Sequence, residues 1–156
     1  LLAQIINLDF TQYLLEKQPY LTSHQIILLK DKGFYFGAHS CDHPEYRFLS
    51  LPEQIQQTKE SIEKISSQFS LTYRAFAFPF TDYGVSKDFF NKIFEKKRIV
   101  DISFGSAGLK LNTFPYHIQR IPLEMSDLSA GEIINAEYIY FFFKNLLRKI
   151  RFTTAR

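Results

Sequence analysis

Short apolar segments alternate along this chain with segments that carry helix start signals, and this alternation restricts the fold more than any other feature. Four segments are short, apolar and bounded by polar or turn-forming residues, which is typical of buried strands. They are 34–38, 75–79, 99–104 and 118–123. Helical patterns lie before the first, between the first three and after the last. This order predicts an α/β fold with a parallel sheet, in which functional residues occupy the loops that follow the strands.

Size and composition fit one globular domain. The chain has 156 residues, 46% of them hydrophobic and 17% aromatic, which is enough to build one core but not two. No apolar run exceeds six residues, whereas a membrane span needs about 20. One cysteine, Cys41, excludes an internal disulfide. The net charge of +3 is concentrated after residue 143 and the remainder is slightly acidic, which argues against a nucleic-acid-binding face.

The C-terminal segment 136–156 is predicted to be a basic amphipathic helix and tail. Ser129 and Glu132 form a capping box just before it. We expect an apolar stripe at helical spacing to pack against the domain; its members are Ile139, Phe142, Phe143, Leu146 and Leu147. Membrane attachment through this tail is the less favoured alternative, because one short basic helix binds lipid weakly.

Two histidines and a proline stand in the loop predicted to follow the first strand. The segment reads His39-Ser40-Cys41-Asp42-His43-Pro44. Pro44 disfavours a helical conformation at His43, so both histidines are expected on a turn at the carboxyl end of a strand. Two imidazoles that converge there could ligate zinc, cobalt or nickel. The residues alone leave open a polar loop that carries two unrelated histidines.

The segment Gly37–Pro44 resembles the His-Ser/Thr-x-x-His-Pro motif of the polysaccharide deacetylases, the NodB-homology carbohydrate esterases. The segment 76–84, Phe-Ala-Phe-Pro-Phe-Thr-Asp-Tyr-Gly, resembles the third motif of that family. The resemblance extends over roughly residues 20–125. It implies that the chain is a single domain, 1–156, with the fold of a partial (β/α) barrel followed by a long C-terminal helix.

The resemblance also implies an activity and a set of site residues. His39 and His43 would ligate a divalent metal, usually zinc in this family, and Ser40 would brace their loop. The backbone amide of Phe80 would help to bind the oxyanion. The implied reaction is metal-dependent removal of acetyl groups from N- or O-acetylated polysaccharide. A location in the cell envelope or outside the cytoplasm is suggested by the family alone.

The chain departs from the family pattern at the third metal ligand. Relatives carry an Asp-Asp pair at the end of their first strand, which supplies a ligand and the catalytic base. The seven aspartates here are all isolated. Four strands are also too few for the family's barrel. The expectation is therefore a C-terminal portion of a deacetylase domain, with the pair upstream of Leu1. The alternative is a catalytically incomplete, carbohydrate-binding or structural relative.

Other polar residues near the predicted strand ends are candidates for lesser roles. Asp82 could contact substrate or metal, although a turn former beside Gly84 needs no function. Arg120 and Glu124 share side-chain parity, so they could face the site together or form a structural ion pair. His117 stands at the amino end of the last strand and is expected to be structural.

Overall fold

The structure, a computed structural model, describes residues 9–110, 112–124 and 127–146. The chain divides into two units, Leu1–Phe36 and Gly37–Arg156. The first unit contains helix α1, Phe10–Lys17, and helix α2, Ser23–Asp31. Both begin where side chains accept the first backbone amides, as expected for helix N-termini. Neither helix buries a side chain.

The second unit contains the sheet and the remaining helices. A 3-10 turn, Tyr46–Phe48, is followed by α3, Leu51–Phe69, and β1, Ala75–Ala77. The chain continues through α4, Lys87–Ile93, β2, Ile102–Gly105, β3, His117–Gln119, and α5, Ala130–Leu146. The three strands form one parallel sheet in the order β1-β2-β3. The predicted α/β class is confirmed, whereas no closed barrel forms within the part of the chain that the structure describes.

The predicted buried strand at 34–38 is corrected by the structure. Only Ala38 reaches the sheet, where it forms a single parallel bridge with Phe76. Its amide donates to the carbonyl of Ala75 at 2.8 Å. Phe34 and Tyr35 are 59% and 84% exposed. The aromatic run therefore contributes one ladder position, and the histidine loop begins directly after it.

The core of the second unit is built from aromatic rings between the sheet, α3 and α4. The aromatic side chains of this core are each at most 1% exposed; they are Tyr46, Phe76, Phe78, Phe89 and Phe90. Neighbouring centroids in this cluster lie between 5.2 and 5.8 Å apart, mostly edge to face or tilted. Such contacts stabilise beyond the burial of area alone. This core includes Phe76 of β1 and Phe78, which follows that strand, so it fixes the carboxyl end of β1.

The prediction that the aromatic stripe of the last helix packs against the domain is wrong. Ile139, Phe142, Phe143 and Leu146 are between 57% and 69% exposed. The helix faces the domain with its other side, because Glu137 accepts the backbone amide of Leu109 at 2.8 Å. Leu147 and the rest of the predicted tail lie outside the described residues. No helix in the described ranges is long and apolar enough to cross a bilayer.

Candidate functional site

His39 and His43 converge in the loop that follows the Ala38 bridge. Their Nε2 atoms lie 3.0 Å apart, and the ring planes are inclined at 66°. His43 has a left-handed backbone with φ of 55°, so the segment is a turn and not a helix. The predicted convergence of the two rings on a loop is confirmed. Metal binding by the pair stays a prediction.

The ring of His39 is held in the orientation that suits a ligand. Its Nδ1 lies 2.8 Å from the carbonyl oxygen of Ala77, which can only accept, so Nδ1 donates and Nε2 carries the lone pair. Burial lowers the pKa of His39, the hydrogen bond to Ala77 opposes this shift, and the charges of His43 and Arg120 lower the pKa further. The neutral imidazole is the form that binds metal.

Polar contacts within the histidine loop and from α3 fix the shape of the loop. Ser40, itself at φ of 68°, accepts the backbone amide of His43 at 3.0 Å. The side chain of Gln57 accepts the amide of Cys41 at 2.9 Å and donates to the carboxylate of Asp42 at 2.8 Å. Left-handed backbone is costly for residues other than glycine, so these contacts hold a conformation that the loop alone would not favour. The sequence indicated Ser40 but gave no signal for Gln57.

Phe80 lies beside the histidine pair. Its ring stands edge to face with His43, with centroids 4.6 Å apart, and its side chain is 65% exposed. Its backbone is also left-handed, with φ of 54°, and its carbonyl accepts the hydroxyl of Ser106 at 2.9 Å. The Phe80 amide donates to no acceptor among the described residues. A donor without a partner at this position is available to a ligand.

One cleft joins these elements. It encloses about 370 Å³ and is lined by His39, Phe78, Phe80, Ser106, Arg120, Ile121, Pro122 and Glu124. The guanidinium of Arg120 donates to the carbonyl of Gly105 at 3.1 Å. Arg120 and Glu124 therefore both line the site, and the described residues include no ion pair between them. A larger cavity, about 580 Å³, lies along α3 and contains neither histidine.

Asp82, predicted as a substrate or metal contact, is instead a buried structural group. It is 1% exposed, and its Oδ2 accepts from His117 at 3.0 Å and from Gln119 at 2.9 Å. Its Oδ1 accepts the amide of Ser106 at 3.3 Å. The structure therefore corrects the prediction, because these contacts occupy the carboxylate and leave it no access to the cleft. His117 is likewise buried and does not line the cleft, which agrees with the structural role expected of it.

The network around Asp82 keeps this carboxylate charged. Burial raises the pKa of Asp82, but hydrogen bonds from His117 and Gln119 outweigh burial and bring the pKa down to about 2. Ser103 contacts Nδ1 of His117 at 2.7 Å, which completes a Ser-His-Asp chain. Ser103 is fully buried, so these three side chains do not form a nucleophilic triad. The shared face of His117 and Gln119 follows from strand alternation, but the sequence did not show that this face meets Asp82.

The donor set is that of a partial metal site. Two imidazole nitrogens that converge suit a divalent cation such as zinc. No cluster of three or more His, Cys, Asp or Glu side chains that could hold a metal occurs in the described ranges. The residues present therefore fit such a cation as two of its ligands.

The parallel sheet and the paired histidines after its Ala38 bridge define an α/β domain with a candidate functional site at the end of its sheet. A sequence model of the polysaccharide deacetylase family matches residues 6–93, which include both motifs. Since the match covers more than half of the chain, the chain belongs to the polysaccharide deacetylase family. The predicted family assignment is thus confirmed. No curated protein and no solved structure matches the chain.

Proposed function

We propose that this chain carries metal-binding and oxyanion-binding parts of a deacetylase that removes acetyl groups from N- or O-acetylated polysaccharide. The observation that carries the proposal is the 3.0 Å approach of the two Nε2 atoms of His39 and His43, on a loop within the family match. The proposed cofactor is a divalent metal, with zinc the first choice. When bound, such a cation polarises a carbonyl and lowers the pKa of water.

The chain's own residues would prepare the site for that chemistry. The carbonyl of Ala77 keeps the lone pair of His39 on Nε2, facing His43. Ser40 and Gln57 hold the loop that spaces the two rings. Rigid support of this kind stabilises a metal site because less conformational freedom is lost on binding.

The amide of Phe80 is proposed as an oxyanion donor. It is fixed in place because Ser106 holds the Phe80 carbonyl and is itself held by Asp82. A preorganised donor of this kind contributes roughly 10²–10³ in rate. The positive charge of Arg120 on the same cleft would favour the negative oxygen that develops in acyl transfer.

Glu124 is proposed as the proton-transfer group that this part of the cleft supplies. It is the one carboxylate among the described residues that line the cleft. Asp82 is unsuited to this role, because its carboxylate is buried and already accepts three hydrogen bonds. A positioned acid or base contributes roughly 10²–10⁴ in rate.

Zinc titration by calorimetry against a competing chelator tests the metal site. We expect His39→Ala and His43→Ala each to lower zinc affinity by at least about tenfold. His24→Ala is the matched control, because His24 is an exposed histidine on α2. Equal zinc affinity in all four proteins would contradict the proposed metal site.

A second candidate function is a non-catalytic relative that binds acetylated carbohydrate. The observation in its favour is that the described residues provide no third ligand. Acetate release from N-acetylated chitooligosaccharides, measured with and without zinc, separates the two functions. Binding of the oligosaccharide without acetate release, in a protein to which an N-terminal Asp-Asp segment has been added, would favour the non-catalytic function.

A further inference from the structure

The outward face of α5 is apolar and exposed, and its half-buried side mixes apolar and polar residues. Ile139, Phe142, Phe143 and Leu146 follow the spacing i, i+3, i+4, i+7 and form one exposed stripe, which we call the outer stripe. The half-buried side carries Glu137, whose carboxylate accepts the amide of Leu109. The outer stripe is thus available to a partner.

The sequence around the outer stripe carries one sign of charge. From residue 138 to the end there are five basic side chains and no acidic one; the basic residues are Lys144, Arg148, Lys149, Arg151 and Arg156. The rest of the chain has a slight excess of acid. A partner that covers the stripe therefore needs an apolar region for the stripe and negative charge for the basic residues that follow it.

An anionic lipid surface offers both features. A second copy of the chain would bring the same cations and no acid from this segment. Tyr138 and Tyr140, which are 61% and 58% exposed, stand beside the stripe. Tyrosine is enriched at the boundary between lipid and water. The stripe is about 10 Å long, so the helix would lie in the interface and not cross it.

We propose that the outer stripe of α5 and the basic residues after it bind the surface of an anionic bilayer. This inference does not depend on the deacetylase activity. The residues of the outer stripe are not used in packing the domain, so they are available to enter a lipid interface. The apolar stripe and the cations supply the two signals that stable interfacial binding requires.

Sedimentation of the full chain with vesicles tests the proposal. The vesicles are phosphatidylcholine alone or an equal mixture with phosphatidylglycerol. We expect binding to the mixed vesicles at least about tenfold stronger than to phosphatidylcholine, and weaker at high salt. Phe142→Gln with Phe143→Gln should lower this binding by at least about tenfold. Arg148→Gln, Lys149→Gln and Arg151→Gln should each lower it by about fivefold.

Phe10→Gln is the matched control, because Phe10 on α1 is 59% exposed and has no such run of basic residues beside it. It should leave vesicle binding unchanged. Since the chain has no tryptophan, Phe142→Trp adds a single fluorophore, and its emission should shift to the blue with the mixed vesicles. Phe10→Trp should show no shift. These readouts do not require activity.

Three outcomes would overturn the proposal. The first is equal binding to both kinds of vesicle. The second is unchanged binding after substitution of Phe142 and Phe143. The third is a concentration-dependent dimer that the same double substitution dissociates, in a protein that does not bind vesicles. That result would mean that a second copy covers the outer stripe.

Discussion

Ser106 connects the buried network to the cleft at the scale of single residues. Its amide donates to Asp82 and its hydroxyl donates to the carbonyl of Phe80. Asp82 is in turn held by His117 and Gln119. The position of the Phe80 amide therefore depends on side chains that do not line the histidine loop. A substitution in this network would act first on stability and then on the site.

Removal of the Asp82 carboxylate should destabilise the protein strongly. Asp82→Ala leaves His117 and Gln119 without their acceptor in the core, and each buried donor left without a partner costs about 1–3 kcal/mol. Asp31→Ala, at the exposed end of α2, should change the free energy of unfolding by less than about 0.5 kcal/mol. Urea unfolding followed by circular dichroism measures both. Similar free energies for the two variants would contradict a structural role for Asp82.

The same carboxylate predicts a pH dependence. The pKa of Asp82 is lowered from 3.8 to about 2 in the folded state, so the folded protein favours the charged form. Its contribution to stability is complete above the unfolded pKa and is lost as the pH falls through about 2. As the pH falls from 3.8 to about 2, the free energy of unfolding should therefore decrease less in Asp82→Asn than in the parent protein. Urea midpoints across an acid pH series measure the difference, and parallel curves would contradict it.

The packing between β2 and β3 can be tested at the scale of elements. A Cβ atom on Gly105 would overlap the side chains of Asp82 and Gln119, whereas one on Gly131 would meet nothing within 4 Å. Gly105→Ala should destabilise the protein by about 1–3 kcal/mol, because the network has no room for a methyl group. Gly131→Ala, in α5, should be neutral or stabilising by up to about 1 kcal/mol. The thermal midpoint should fall in Gly105→Ala and should stay unchanged or rise in Gly131→Ala.

The contact between α3 and the histidine loop gives a second prediction for an element. Gln57→Ala removes the acceptor for Cys41 and the donor to Asp42, so the loop loses its anchor on the helix. We expect zinc affinity to fall by about 10–100-fold, as for other groups that support a metal ligand. Gln56→Ala is the matched control, because the exposed side chain of Gln56 donates to Glu60 on α3 and has no hydrogen bond to the histidine loop among the described residues. Equal zinc affinities would show that the loop holds its shape without Gln57.

At the scale of the whole molecule, the number of metal ligands decides whether the chain can bind zinc tightly and release acetate. Catalytic zinc sites usually have three protein ligands and one open position. The described residues supply the two imidazoles of His39 and His43, and no group of three. We expect the 156-residue chain to bind zinc weakly and to release little acetate from an acetylated oligosaccharide.

Acetate release that disappears on chelation and returns with zinc would contradict this expectation. A carboxylate within the chain would then complete the site. Glu124 would be the first residue to substitute, because it lines the cleft with His39. Glu124→Gln should abolish such release, whereas Glu63→Gln, on the outer side of α3, should not. Asp82, the earlier candidate from the sequence, is excluded by its burial.

The sequence by itself determined the features that depend on neighbouring residues. The capping box of Ser129 and Glu132 was predicted correctly, because a capping side chain meets an amide within three residues. The turn at His43 was predicted for the same reason, since Pro44 acts on the residue directly before it. The family assignment also follows from contiguous motifs. Each of these signals lies within one short segment.

Only the tertiary structure decided the features that depend on distant residues. The burial of Asp82 requires His117 and Gln119, which lie 35 and 37 positions away. The side of α5 that faces the domain is the one on which Glu137 accepts the amide of Leu109, 28 positions away. Periodicity shows which side chains share a face of a helix or strand, but not which surface that face meets. That choice is made by hydrogen bonds and packing between segments that are far apart in the sequence, and no pattern within one segment encodes it.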